Sequence, residues 1–321
     1  MKRNRWIWAA TILVCVGCLL IGGAMMSKNW KLSNLSTATF ETKQYRLSES
    51  YKNISITVDE ADVIFQTASG TDTVITCYED VKQPHKVAVT GDTLSVSQEE
   101  ENWRNWIGIC VQTPRIVITL PQNVYGDLTV KGNTGDIQLP AALTFQKVDI
   151  AISTGDIHCQ ATAREDMKLK VSTGDILLED ANAGALELRS STGQIRATNV
   201  NCAGDLSLRV STGKSALTNV ICNQSITSTG NTGDITLNNT VAGAGIRIER
   251  STGDVELENC DARQIQVTTS TGDVTGCLLT GKNFQIQTDT GDVEVPASVA
   301  EGDLCQIKTS TGDIKFRIIH S

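Results

Sequence analysis

From residue 131 to the end of the chain, apolar side chains fall on alternate positions either side of a recurring Thr-Gly pair. Val148, Ile150 and Ile152 precede one pair, and Ile157 and Cys159 follow it. Met167, Leu169 and Val171 precede the next, and Ile176 and Leu178 follow. A period of two on both flanks predicts two short strands per unit, each with one buried face. Spacings of three and four, which a helix requires, do not recur. Valine and isoleucine dominate the buried set, as strands prefer.

The glycine of the pair stands at 135, 155, 174, 193, 213, 233, 253, 272, 291 and 312, so the interval varies only from 19 to 21 residues. One unit has too few inward side chains to make a core. Copies stacked in parallel at about 4.8 Å give continuous buried ladders, and ten of them make a rod of about 48 Å. The expected fold is all-β: a parallel β-solenoid of about ten rungs of some twenty residues, right-handed by the crossover rule. One predicted column is Ile150, Leu169, Leu188, Leu208, Ile248, Val267 and Ile286.

The phrase between the strands is most often Ser-Thr-Gly-Asp-Ile, as at 153–157, 172–176 and 310–314. Carrying strand parity through the corner turns its threonines inward. Glycine supplies the positive φ of a tight bend. Asp136, Asp156, Asp175, Asp234, Asp254, Asp273, Asp292 and Asp313 then lie outside, each capping N–H groups at its own corner. Gln194 and Lys214 replace the aspartate in two rungs, and the sequence shows nothing that compensates.

Upstream of the repeats the pattern changes. Residues 1–5 are basic, and Trp6 to Met26 carries no charge over 21 residues, enough to span a bilayer of ~30 Å. Trp6, Trp8 and Trp30 sit where interfacial aromatics belong, and the basic start favours a cytoplasmic amino terminus. The expected arrangement is a single-pass plasma-membrane anchor over 6–26, with an extracytoplasmic body. A cleaved signal peptide is the alternative. Residues 27–44 read as a polar stalk. Residues 45–130 read as an irregular β segment that caps the stack, with alternation at Ile54, Ile56 and Val58 and again at Ile116 and Ile118. Within it, Trp103 and Trp106 lie among charges. They are either a contact for a partner or sugar, or part of a cap folded onto the solenoid end.

Charge and cysteine content narrow the chemistry. Five of the 28 basic residues fall in the first 31 positions, which have no acid; 23 basic residues then face 36 acidic ones, a net of −13. Such a body does not suit nucleic acid. Of ten cysteines, none outside the apolar span has paired spacing with nearby histidines, and only His85, His158 and His320 exist, so neither a zinc site nor a cofactor is expected. Cys202 and Cys222 share a register. They are stacked thiols or a disulfide, since adjacent rungs fall within bridging range.

The anchor, the segment ending in Arg115-Ile-Val-Ile-Thr-Leu-Pro121 and the serial "STGDI" strands together resemble the bacterial β-strand-repeat family of putative adhesins, a domain of unknown function. The resemblance covers about 45–318. It implies an extracytoplasmic β-solenoid and carries no catalytic residues. The departures at Gln194 and Lys214 count against any role that needs an unbroken row of carboxylates. The expectation is a non-catalytic surface binding, adhesion or envelope-scaffold protein whose partner is an envelope protein or glycan. The alternatives are a calcium-dependent adhesin and a polysaccharide-acting β-helix enzyme. The even intervals, which leave no rung a long loop to wall a cleft, weigh against the enzyme. Ice binding through threonine rows is set aside because parity turns the threonines inward.

Overall fold

The computed structural model describes residues 38–98 and 112–319, together with 10, 11, 13–17, 23 and 26. Twenty-five strands join one sheet that winds into a solenoid. Among the repeats the pairing is parallel, one unit to the next, and Ile150, Leu169, Leu188 and Leu208 meet across successive rungs as expected. Leu208 is 1% exposed. At about 25 cal/mol per Å² of apolar area removed from water, these columns are the main driving term for the stack.

The column is not wholly apolar. Leu208 pairs with Ser228 and Ser228 with Ile248. One inward position along, Val210 pairs with Gly230 and Gly230 with Arg250. Gly230 leaves the space that the Arg250 side chain enters. Arg250 is 5% exposed, and its guanidinium donates to Ser228 Oγ at 2.9 Å and Ser215 Oγ at 3.3 Å. Burial lowers the Arg250 pKa to about 10.

At the carboxyl end the rungs are out of chain order. Val267 pairs with Ile307, and Ile307 with Ile286. The last strands, Asp303–Thr311 and Ile314–Ile318, insert between their predecessors, and Lys282–Thr290 with Val293–Glu294 becomes the outermost rung. Ile286 is therefore half-buried at the end of the rod, and Ile307 fills the buried place expected for it. The two units carry nearly the same phrase, so their order is not encoded in it.

The amino-terminal segment holds two further layers. Asn53–Glu60 and Asp62–Ala68 pair in parallel with the first repeat unit, Val124–Thr134 and Ile137–Leu139. Beneath them lie Thr93–Gln98 and Arg115–Pro121. These two layers lie before the first repeat unit. Two antiparallel strands, Phe40–Leu47 and Thr73–Asp80, continue the sheet edge beside Arg115–Pro121, and His85–Thr90 pairs antiparallel with Thr93–Gln98. The first of these begins inside the expected stalk, because its alternating side chains find a partner strand.

The expected span 6–26 lies largely outside the described residues. Those described within it are helical, and Leu13, Val14, Val16 and Met26 are exposed. Among the described residues no helix is long and apolar enough to cross a membrane. The anchor therefore stays an expectation from composition.

Candidate functional site

The corners form a continuous edge along the rod. Every glycine of the ten pairs has φ between +127° and +149°, a region that side chains rarely adopt. Close stacking adds a second demand. A Cβ on Gly174 would lie 2.0 Å from the carbonyl oxygen of Gly155, and one on Gly213 would lie 1.8 Å from that of Gly193. Each glycine is needed both for its own bend and for the backbone of the neighbouring corner.

The threonines point outward, against the parity expectation. Val171 is buried, and Ser172 and Thr173 are both exposed; the same holds at Ile152, Ser153 and Thr154. Turning the corner places two successive residues outside, which breaks strand alternation. Thr134, Thr154, Thr173, Thr192, Thr212, Thr232 and Thr252 pair in register as an exposed ladder. The ground on which a threonine-row surface was set aside therefore fails.

The aspartates cap the next rung, not their own corner. The Asp156 amide donates to Asp136 Oδ1 at 2.9 Å, Asp175 to Asp156 at 2.8 Å and Gln194 to Asp175 at 2.7 Å. The series resumes from Asp254 to Asp234, Asp273 to Asp254, Asp313 to Asp273 and Asp292 to Asp313. It begins in the cap, where Asp62 accepts from Asp136. The interruption is compensated after all, because Lys214 Nζ lies 3.1 Å from Asp234 Oδ2. That ammonium, followed by the Asp254 amide, holds the Asp234 carboxyl below the usual range.

Beside the aspartate row runs a groove. One hollow of about 320 Å³ is lined by Asp136, Asp156, Asp175, Gln138, His158 and Arg196, among others. A second, of about 350 Å³, shares Gln194 and Arg196 and extends to Lys214, Asp234, Asp254 and Glu256. Its floor is one in-register row: Gln138, His158, Leu177, Arg196, Ala216, Thr236 and Glu256. Corner residues repeat while this row changes chemistry at every rung. His158 Nε2 lies 3.0 Å from Glu179 Oε2. Both ends of the groove are acidic, and its middle carries Arg196 and Lys214.

The opposite turn carries a second ladder, one not read from the sequence. The amides of Asn199, Asn219, Asn239 and Asn259 each donate to the residue one rung back, at 2.8–3.1 Å, starting from Asp180. All five have φ near +50°, which asparagine and aspartate tolerate better than most. The signal was present: an asparagine six residues after each glycine from 193 to 253.

Cys202 and Cys222 meet in register as free, buried thiols. Cys222 Sγ donates to the Gly204 carbonyl at 3.1 Å and Cys202 Sγ to that of Asp205 at 3.4 Å. Trp103 and Trp106 lie outside the described residues.

A stack of near-identical rungs with a constant corner and a varying groove is a repeat protein that offers an extended surface. The chain belongs to the Toastrack DUF4097 family, whose model matches residues 51–258 and 238–320. It is similar to a solved putative adhesin from Bacteroides fragilis (14% identity, 87% of this chain and 97% of that one, TM-score 0.43). It is also similar to a putative adhesin from Parabacteroides distasonis (9%, 88% and 98%, 0.45) and to a putative lipid binding protein from the same organism (12%, 89% and 98%, 0.35). No curated protein matches the chain.

Proposed function

We propose that this chain is a membrane-anchored, extracytoplasmic β-solenoid that works without catalysis, as a surface binding, adhesion or envelope-scaffold protein. The observation that carries the reading is the groove. Selection for folding alone explains a constant corner, and a neighbouring row that varies through amide, imidazole, aliphatic, guanidinium and carboxylate suits recognition of an extended partner. The partner is an envelope glycan or protein that lies along the rod. Anchoring rests on the apolar run 6–26 and its basic flank.

Two experiments test this. Protease added to intact cells or spheroplasts should digest the body and spare a short amino-terminal fragment; release of a body lacking residues 1–24 would replace the anchor with a cleaved leader. Purified chain should co-sediment with isolated cell-wall or membrane fragments. The double variant Arg196→Glu, Lys214→Glu should lose at least about tenfold in retention, whereas Asn219→Gly on the opposite turn should not. Equal retention of both variants would sink the groove reading. Retention that requires sub-millimolar calcium and is lost in Asp254→Asn, Asp273→Asn would favour the calcium-dependent adhesin. Shortening of the glycan during incubation would favour the enzyme.

A further inference from the structure

At the amino-terminal end of the rod, three side chains of metal-binding type meet in the interior. Cys77 and Glu79 are two apart on the strand Thr73–Asp80, so both face the same way. His85 opens the strand His85–Thr90 after a short turn. The three are 0%, 1% and 4% exposed. One ligand atom from each lies within 4.8 Å of the other two.

The hydrogen bonding inside this cluster is incomplete. Glu79 Oε2 accepts the His85 backbone N–H at 2.7 Å and lies 2.7 Å from His85 Nδ1. The other two polar atoms, Glu79 Oε1 and His85 Nε2, are buried with no hydrogen-bond partner among the described residues. Native interiors seldom leave two such atoms together, and each calls for a cause. A cation already attends the cluster. Lys43, which faces Cys77 across the sheet, places Nζ 3.4 Å from Glu79 Oε1. The same ammonium reaches Glu41 at 2.7 Å, and its side chain is 38% exposed, so it can withdraw to the surface.

We propose that Cys77, Glu79 and His85 bind one divalent transition-metal ion, zinc above all, in a place that Lys43 fills when the metal is away. The ligand set is one sulfur, one oxygen and one nitrogen, which suits a borderline-soft ion. Charge also balances. Thiolate and carboxylate together neutralise a dication, and the imidazole binds neutral, so the buried cluster carries no net charge. When the metal–sulfur bond forms, the thiol proton leaves to solvent and the ammonium of Lys43 leaves Glu79 for Glu41. Three protein ligands leave a fourth position for water. Metal–ligand bonds of about 2.0–2.3 Å require a small inward shift of the three side chains. Paired CxxC spacing, the feature sought in the sequence, cannot reveal such a site. Its mark is Cys-x-Glu on one strand face and a histidine across the following turn.

The test uses the purified full-length chain, reduced, stripped with chelator and titrated with Zn²⁺ or Co²⁺. The expected result is one ion per chain, with a thiolate-to-cobalt charge-transfer band in the near ultraviolet and a raised melting temperature. Cys77→Ser should remove the band, and both Cys77→Ser and His85→Gln should weaken uptake more than ~100-fold, beyond the loss usual for a partner outside the ligand set. Circular dichroism in chelator checks that each variant folds. Lys43→Met, which needs no ligand removed, should tighten uptake. Cys202→Ser, Cys222→Ser should leave uptake unchanged. No uptake by the native chain, or uptake unaffected by Lys43→Met and lost with Cys202 and Cys222, would overturn the proposal.

Discussion

The rod is held together differently in its middle and at its amino-terminal end. In the middle, one unit is repeated and three rows tie rung to rung: glycine backbones in contact, aspartate Oδ1 on the next amide, and asparagine amides on the far turn. At the end, Asn53–Ala68 makes a rung of the same shape without the phrase. Ala61 stands where the corner glycine would be, and Asp62 alone keeps its role by accepting from Asp136. There the sheet edge is closed by antiparallel strands and a buried Glu79–His85 pair. The contrast teaches that the phrase belongs to the repeated rungs, the outermost one at Gly291 included. In the layers before the first repeat unit other chemistry takes its place, including an edge closed against further pairing.

The largest effect should separate the two corners. Gly174→Ala must place a methyl group against the Gly155 carbonyl at a φ of +140°, at a cost of about 3 kcal/mol or more. Ala61→Gly, its counterpart in the end layer, should cost about 1 kcal/mol or less. Chemical denaturation of both variants checks the difference.

Core truncation should show the same gradient along the rod. Leu208→Ala, in mid-stack, should cost about 2–5 kcal/mol. Ile286→Ala, in the outermost rung, should cost about 1 kcal/mol, in proportion to its smaller buried area. Arg209→Ala, the exposed neighbour of Leu208, should cost under about 0.5 kcal/mol. Equal losses at 208 and 286 would contradict the rung order at the carboxyl end.

These positions also mark what could be read from the sequence. Period, strand pairing, the buried column and the Cys202–Cys222 register all follow from alternation and spacing, which are local properties. Thr173 could not be placed by alternation, because a corner puts two consecutive residues outside. The exchange of the last two rungs could not be read either, since the units around Gly291 and Gly312 carry nearly the same phrase, which does not fix the neighbour each one meets. The rung at 53–68 was hidden by Ala61 in the glycine's place. The groove was visible only in part. Its aspartates stood out by repetition, while His158 and Arg196 become neighbours only through stacking.

Smaller effects test the aspartate row. Asp175→Ala removes the acceptor for the Gln194 amide and should cost about 1 kcal/mol; Asp175→Asn, which keeps an oxygen there, should cost less. Acid provides a gentler probe. The folded pKa of Asp234 is depressed, so its contribution is complete above the unfolded carboxylate value, about 3.9, and is lost as pH falls through the folded value. Because the Asp234 side chain is 43% exposed, the contribution is about 0.3 kcal/mol. Lys214→Gln should remove most of it, read as a smaller difference in stability between pH 6 and pH 3.

The central claim is that each corner carboxylate ties down the next rung, which makes the repeated phrase a stacking device and leaves recognition to the residues beside it. Residue-resolved amide hydrogen exchange under native conditions tests this directly. The amides of Asp156, Asp175, Gln194, Asp254 and Asp273 each have a carboxylate acceptor one rung away. Those of Lys214 and Asp234 follow rungs that lack the aspartate, Gln194 and Lys214. The account predicts slow exchange at the first five and faster exchange at Lys214 and Asp234, in an otherwise uniform stack. Uniform protection at all seven would contradict it.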